Sequence, residues 1–381
     1  MSEVDLSISS LSSKILPEIN RKRVLKLLYQ EKTLTRREIS DILVISLPTV
    51  SKLVDSLLEE GFVTEGGRQQ STGGRKPRLI AFAPTSRYAV GVDIRPQGLR
   101  FVASDLWGYI CLSQVCDIVF EDTPAYWEAF VQHTENFIDM TTFGRDILIG
   151  VGITLSGTIA KEKPLVEYSS TLGIKNVDLS FLQSRLPYPL MFLNDAYAAG
   201  YTEFWNSSRL NLMFYLSISE GISGAIMIQN ELFTGFNNRA GSVGHITIQP
   251  TGGKPCTCGK TGCFEAYCGV KALTEPFAEA LPVFFSQLAA GEPRHKAVWD
   301  EYLSHLAIGI SNIRQCLDIA IIIGGQLGPY IGDYLPELFA HICAISSFPE
   351  KNRLYINAAR FGKDASALGV ALQLINKFLD F

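Results

Sequence analysis

One short stretch limits the folding of this chain more than any other. Gly244-His245 is followed by Pro255-Cys256-Thr257-Cys258-Gly259-Lys260-Thr261-Gly262-Cys263, which puts one imidazole and three thiols within 19 residues. Glycines at 259 and 262 permit tight turns through which the three sulfurs can converge. One imidazole and three thiolates complete a tetrahedral zinc site and leave no open position for a catalytic water. The residues therefore read as a closed, structural Zn2+ site of His245, Cys256, Cys258 and Cys263, against the bland alternative of four unrelated residues clustered by chance. Four of the eight cysteines lie between Cys256 and Cys268, which weighs against chance. Cys268, beyond Glu265, reads as a buried thiol rather than a ligand. Cys111, Cys116, Cys316 and Cys343 read as core. His133, His295, His305 and His341 read as ordinary helix or surface residues, because none has a partner at ligand spacing.

Such cysteine usage in 381 residues describes no disulfide framework, so a cytoplasmic, reducing location is expected. The first 20 residues hold no continuous apolar segment, and no stretch approaches the ~20 apolar residues of a membrane-spanning helix. Neither secretion nor a membrane partner is expected. With 47% apolar and 19% charged residues the chain is globular, and its length implies two or three domains.

Net charge is −4, which argues against a partner as acidic as DNA until its distribution is examined. Residues 1–85 carry 13 Lys and Arg against 10 Asp and Glu, so the basic excess sits at the N-terminus. Within it, Gly66 to Arg78 (GGRQQSTGGRKPR) contains Arg68, Arg75, Lys76 and Arg78 and no acid. Between Asn20 and Phe62 the spacing predicts three short helices. Val24, Leu25, Leu27 and Leu28 give the first an apolar face. Thr35 with Glu38 forms a capping box that starts the second. Ser46 caps the third, Pro48 suits its first turn, and Leu47, Val50, Leu53, Val54, Leu57 and Leu58 form its buried stripe. On its polar face Thr49, Ser51 and Lys52 come early, whereas Asp55, Glu59 and Glu60 come late. Only the early half can face DNA, because a recognition helix presents its N-terminal residues to base edges. Phe62-Val63-Thr64, the basic loop and Leu79 to Phe82 then read as two strands and a wing. The whole resembles a winged helix-turn-helix, with Ser46, Thr49, Ser51, Lys52, Arg68, Arg75, Lys76 and Arg78 as candidate DNA contacts. A plain three-helix packing module with a solvated basic loop is the competing reading.

From Tyr88 onward the signals alternate between strand and helix. Tyr88 to Asp93, Gly98 to Asp105 and Tyr109 to Val119 read as strands, Trp127 to Met140 as a helix and Ile147 to Thr154 as a strand. A weaker echo follows in Leu212 to Ile218, Gly224 to Gln229, Glu231 to Phe233 and Ala320 to Gly325. Two related α/β halves with a ligand cleft between them are implied.

Asn194-Asp195-Ala196, AGSVGHI at Ala240 to Ile246, CTCGKTGCFEAY at Cys256 to Tyr267 and IIIGG at Ile321 to Gly325 resemble the ROK family, which groups sugar kinases with sugar-responsive repressors. The resemblance spans residues 20–381, because the repressor branch also begins with a winged helix-turn-helix. It implies a winged helix-turn-helix followed by a two-lobed actin-like, ribonuclease H-like α/β body. The implied boundaries are 1–19 for an N-terminal extension, 20–83 for the DNA-binding domain, 84–198 for lobe 1, and 199–381 for lobe 2 with the zinc loop. The C-terminal helix would return to lobe 1. It further implies a monosaccharide held by Asn194, Asp195, His245 and Glu265, with Gly157 and Ser170 contributing. Carboxylates and an amide suit that task, because they serve several hydroxyls at once.

A kinase of this kind needs Asp195 as base and two glycine-rich turns whose amides hold ATP phosphates. The first turn is instead Asp93-Ile94-Arg95-Pro96-Gln97-Gly98, and Pro96 has no amide to donate. The second is Ser219-Glu220-Gly221-Ile222-Ser223-Gly224, where Glu220 would repel phosphate. No enzyme activity and no ATP are expected, and Asp195 reads as a sugar ligand. Ser242 stands where the family pattern has a Glu, which removes a charge-assisted acceptor from the sugar site. Three functions stay open: a sugar-induced repressor of a carbohydrate-use operon, a repressor controlled by a protein partner, and a residual kinase. The first is preferred, acting on operator DNA as a homodimer or dimer of dimers. Relatives of this type respond to xylose, glucose or N-acetylated amino sugars, and xylose is favoured here.

Overall fold

The structure is a computed structural model and describes residues 3–68, 78–207, 211–229, 231–237, 239–349 and 352–380. Its internal contacts divide the chain into two units.

The first unit comprises Met1–Tyr88, Asp105–Tyr109 and Asn376–Phe381. The three helices expected between Asn20 and Phe62 are present, and the first is longer than expected, α1 (Glu3–Glu31), beginning well before Asn20. There follow β1 (Thr33–Thr35), α2 (Arg36–Leu43), α3 (Leu47–Glu59), β2 (Val63–Arg68) and β3 (Arg78–Phe82). The capping box is present: Thr35 accepts from the Glu38 N–H, while the Glu38 carboxylate accepts from the Thr35 N–H at 2.7 Å. Val24, Leu28, Ile39, Val50, Val54 and Leu57 are fully buried and make the core where the three helices meet. Leu47, expected in that stripe, is 45% exposed, because it sits at the first helical position before the apolar face has turned inward. Ser46 occupies the N-cap position without capping; its hydroxyl bonds Thr49 Oγ1 at 2.8 Å instead. The sheet order is β1-β3-β2, and β1 was not anticipated from the sequence.

The second unit, Ala89–Ser104 with Ile110–Ile375, holds two similar halves. The first contains β4 (Tyr88–Arg95), β5 (Gly98–Asp105), β6 (Ile110–Cys116), α4 (Pro124–Met140) and β7 (Leu148–Leu155). An excursion follows through β8 (Thr158–Ile159), β9 (Leu165–Ser169), β10 (Ile174–Asp178) and α5 (Leu182–Arg185), before β11 (Leu190–Asn194) and α6 (Asp195–Trp205). The second half contains β12 (Leu212–Ile218), β13 (Ile222–Ile228), β14 (Glu231–Phe233), α7 (Glu265–Cys268), α8 (Lys271–Thr274), α9 (Leu281–Ala290) and α10 (Pro293–Leu317). It closes with β15 (Ala320–Gly325), α11 (Gly328–Ile331), α12 (Leu335–Ile345), β16 (Ile356–Ala358) and α13 (Ala365–Leu379).

The two five-stranded sheets run β11-β7-β4-β5-β6 and β14-β13-β12-β15-β16. Within each half the first strand is central, flanked on one side by the second and third and on the other by the fourth and fifth. The duplication expected from the sequence is therefore a topological repeat. Helix α13 packs on the first sheet: a Cβ on Gly91 would lie 1.8 Å from the Ala367 carbonyl, and one on Gly152 would strike Val370. Glycine at these two strand positions is what lets the helix seat so closely.

The cysteines expected in the core depart from that reading. Cys111, Cys316 and Cys343 are exposed and Cys116 is half-buried. β6 is the edge strand of its sheet and exposes both faces in part, and Cys316 lies in the last turn of α10. Cys268 is fully buried, as expected, and donates toward the Tyr302 carbonyl.

Candidate functional site

Three places carry the candidate residues. The first is the loop between β14 and α7. Two isolated bridges, Thr247 with Cys263 and Pro255 with Thr261, fold it into a narrow hairpin. At its tip the Cys256 N–H donates to the Lys260 carbonyl and the Gly259 N–H to the Cys256 carbonyl. Gly262 has φ +76°, and a Cβ there would lie 1.9 Å from the Gln249 carbonyl, so only glycine closes this turn. One ligand atom from each of His245, Cys256, Cys258 and Cys263 lies within 4.8 Å of the others. Cys258 and Cys263 sulfurs are 3.7 Å apart, as is Cys256 Sγ from His245 Nδ1. Tetrahedral zinc with bonds of about 2.3 Å to sulfur places its sulfurs roughly 3.8 Å apart, so the donor set fits that ion in both chemistry and spacing. With Nδ1 turned to the cluster, His245 keeps Nε2 for another partner. Glu265 follows at once: one oxygen accepts from the Ile222 N–H at 2.9 Å and the other from Thr257 Oγ1 at 3.2 Å. The carboxylate thus braces the metal loop against the turn between β12 and β13.

The second place is a cavity of about 220 Å³ between the two halves of the second unit. Its walls include Gly157 to Lys161 and Asn194 from the first half, and Ser223, Gly224, Thr234 and Ala240 to Ser242 from the second. Asn194 ends β11 and caps α6: its Oδ1 accepts from the Ala196 and Tyr197 N–H groups, while its Nδ2 donates to the Gly157 carbonyl at 2.9 Å. Asp195 opens α6, keeps some contact with solvent, and is otherwise ringed by protein. Burial first, and the neighbouring Asp93 second, push its carboxyl up to about 6, against the opposing pull of the Ala196 N–H and the Arg95 guanidinium. Tyr197, which sequence reasoning passed over, joins the halves by donating to the Ala240 carbonyl at 2.6 Å. Only its position one turn into α6 could have marked it. Ser170 lies exposed in the turn after β9 and outside these walls; its neighbour Ser169 is buried against Gly157. Asp195, His245 and Glu265 are likewise not among the wall residues.

The counterparts of the two phosphate turns carry their own ion pairs. Asp93, 2% exposed, accepts from Arg95 Nε at 2.5 Å and from Thr154 Oγ1 at 3.0 Å. Glu220 is paired with Lys271 at 3.4 Å.

The third place is the helix-turn-helix. Ser46, Thr49 and Lys52 are exposed and Ser51 is half-buried. Two of the three late acids are occupied: Asp55 by Arg36 at 2.7 Å and Glu60 by Arg21 at 2.5 Å. Arg78 is paired with Glu65 across the β2–β3 ladder. Arg68 stands opposite Arg78 in register, while Arg75 and Lys76 lie outside the described residues.

Comparison with known proteins accords with this geometry. The ROK family profile matches residues 90–377, and a profile described as winged helix-turn-helix DNA-binding matches residues 18–64. A xylose repressor of Bacillus spizizenii is 29% identical, covering 95% of this chain and 96% of that protein. A glucokinase of Halalkalibacterium halodurans is 26% identical but covers 58% of this chain and 74% of its own. Among solved structures, a ROK family transcriptional regulator described as a homolog of the E. coli MLC protein superposes with a TM-score of 0.77 at 21% identity, covering 96% of each chain.

Proposed function

The chain belongs to the ROK family and carries a winged helix-turn-helix, and from that premise we propose that it is a transcriptional repressor of a carbohydrate-utilisation operon, released from operator DNA by a monosaccharide bound between its lobes. One observation carries the reading: a DNA-binding fold and a small cleft walled by Asn194, Tyr197, Ser223 and Ser242 occur in one chain. The cleft's volume suits one monosaccharide, and its hydroxyl, amide and phenol groups suit a neutral polyol. Asp195 serves as a sugar acceptor beside Asn194, and His245, held to the metal through Nδ1, offers its Nε2–H to the sugar as a donor. Glu265 and the cluster of His245, Cys256, Cys258 and Cys263 hold their loop in place around structural zinc, which supplies rigidity and no reaction. Relatives named xylose repressor align over nearly the whole chain and favour xylose as the sugar.

Kinase activity is not part of this reading. Arg95 and Pro96 fill the first phosphate turn, and the glucokinase likeness covers 58% of this chain against 95% for the xylose repressor. The repressor works in the cytoplasm as a dimer. Among the described residues no helix is long and apolar enough to cross a membrane.

The deciding experiment measures thermal shift and operator release with xylose, glucose and N-acetylglucosamine, each with and without ATP and magnesium. A selective sugar shift that ATP does not change supports the reading. Sugar phosphate formed at kinase-like rates, or operator release that no sugar brings about, overturns it.

A further inference from the structure

We propose that Val44 and Leu47, on either side of the turn between α2 and α3, read the C5-methyl groups of thymines in the major groove of the operator. The inference rests on α3 being the recognition helix and adds a determinant that is apolar rather than polar.

Val44 is where the argument starts. It has φ +55° and ψ +47°, and among the described residues it is the one β-branched side chain at a positive φ. That conformation suits glycine or asparagine and strains valine. The turn does not need the valine side chain. The Val44 and Ile45 N–H groups both donate to the Ser40 carbonyl, and Ser40 Oγ donates to the Ile45 carbonyl at 2.6 Å. Nor does the core need it: Val44 is 90% exposed. In the free protein the side chain therefore costs strain and exposed apolar area and returns nothing. A side chain that the fold disfavours is explained by a bound state that uses it.

Leu47 repeats the pattern. It opens α3 at 45% exposure, while the helix is seated by Val50, Val54 and Leu57. Around the two residues the surface matches nucleic acid better than a protein partner. Ser46, Pro48, Thr49 and Lys52 are exposed beside them, and no acid occurs from Ile42 to Val54. The flanking Asp55 is neutralised by Arg36. Hydroxyls and a lysine position a duplex through its phosphates, whereas an apolar side chain at the N-terminus of a recognition helix can read the thymine methyl.

The test begins with duplexes selected from a random library by the full-length protein. Binding is then measured to the selected duplex and to the same duplex with deoxyuridine for thymidine, which removes only methyl groups. The wild-type protein should bind the uracil duplex about 3- to 10-fold more weakly. Val44→Gly should raise the melting temperature, because it relieves the strained turn, yet bind the thymine duplex several-fold more weakly and lose most of the thymine preference. Leu47→Ala should lose part of that preference, and Val44→Asn, which also tolerates the turn, should behave like Val44→Gly. Variants that keep the wild-type ratio between the two duplexes overturn the inference, as does a loss equal on both. Unchanged DNA binding with a changed oligomeric mass would assign the surface to a second copy of the chain and overturn it too. A wild-type protein that selects no duplex would overturn the proposed function along with it.

Discussion

Arg95 donates through Nε to Asp93 at 2.5 Å, and this pair closes the end of β4, at the mouth of the turn to β5 that corresponds to the first phosphate turn of a kinase relative. Asp93 is 2% exposed, and the guanidinium also donates to the Lys363 carbonyl at 2.8 Å. The turn thus carries its own cation, and Pro96 offers no amide to a phosphate. Removing Arg95 should leave Asp93 with Thr154 alone. Because Arg95 is itself 41% exposed, the cost of Arg95→Ala should be about 1–2 kcal/mol rather than that of a fully buried pair. The substitution should also raise the Asp195 pKa above about 6, since Arg95 is one of the groups holding it down. Carboxyl titration by NMR reads this, and an unshifted Asp195 would show the two sites to be uncoupled.

Asp195 itself should make stability depend on pH in a definite direction. Its folded pKa of about 6 lies above the ordinary 3.8, so folding disfavours its charged form. Stability from this group is greatest below about pH 4 and is lost as pH rises through 6. Asp195→Asn should therefore stabilise the sugar-free protein at pH 7–8 by about 1–3 kcal/mol and change little at pH 4. Sugar binding should run the other way. A hydroxyl donates best to an ionised carboxylate, so wild-type affinity should fall below pH 6, while the Asn protein binds weakly throughout and stays on its operator. Melting curves and sugar titrations from pH 4 to 8 check both signs.

Much of the fold was legible because local pattern and tertiary position agree. β5, β12, β14 and β15 have the bounds read from the sequence, since each is an apolar run closed by glycine or a turn residue. The capping box at Thr35 is written in four consecutive residues and forms as read. Where tertiary context decides, the sequence misled. Leu47 fits the buried stripe by spacing yet precedes the turn that buries it. Cys111 and Cys116 read as core by residue type, but their strand lies at a sheet edge. β1 is three residues long and exists only by pairing with β3. In the candidate site the metal cluster was local and therefore visible. The Asp93–Arg95–Lys363 contact and the bond from Tyr197 to Ala240 join distant segments with no spacing to announce them.

The metal loop should be stable only with its ion. Without zinc, three thiols and an imidazole crowd within 4.8 Å around no common bond. Cys258→Ser or Cys263→Ser should abolish metal binding and loosen the segment from His245 to Glu265. Because Glu265 holds the Ile222 N–H, the turn after β12 should loosen with it, and sugar response should fall together with stability. Metal analysis of protein purified without added zinc should give close to one equivalent per chain. Well-folded protein with less than about half an equivalent would count against the site.

The wing supplies the last prediction, which turns on a difference between neighbouring cations. Arg75 and Lys76 belong to the acid-free loop, whereas Arg78 is held by Glu65 at 2.5 Å. A cation already paired with a carboxylate releases fewer counterions when it meets a phosphate than a free one. The double variant Arg75→Ala with Lys76→Ala should therefore flatten the dependence of log affinity on log salt by about two units, on operator and random duplex alike. Arg78→Ala should change that slope by less than one unit. Glu65→Gln frees Arg78 and should strengthen binding to every duplex while steepening the slope. Thr49 and Ser51 substitutions, by contrast, should alter which sequence is preferred and leave the slope in place, because base-edge contacts displace no counterions. Affinities measured across a salt series on both duplexes separate these effects. An unchanged slope in the Arg75 and Lys76 double variant would remove the wing from the interface.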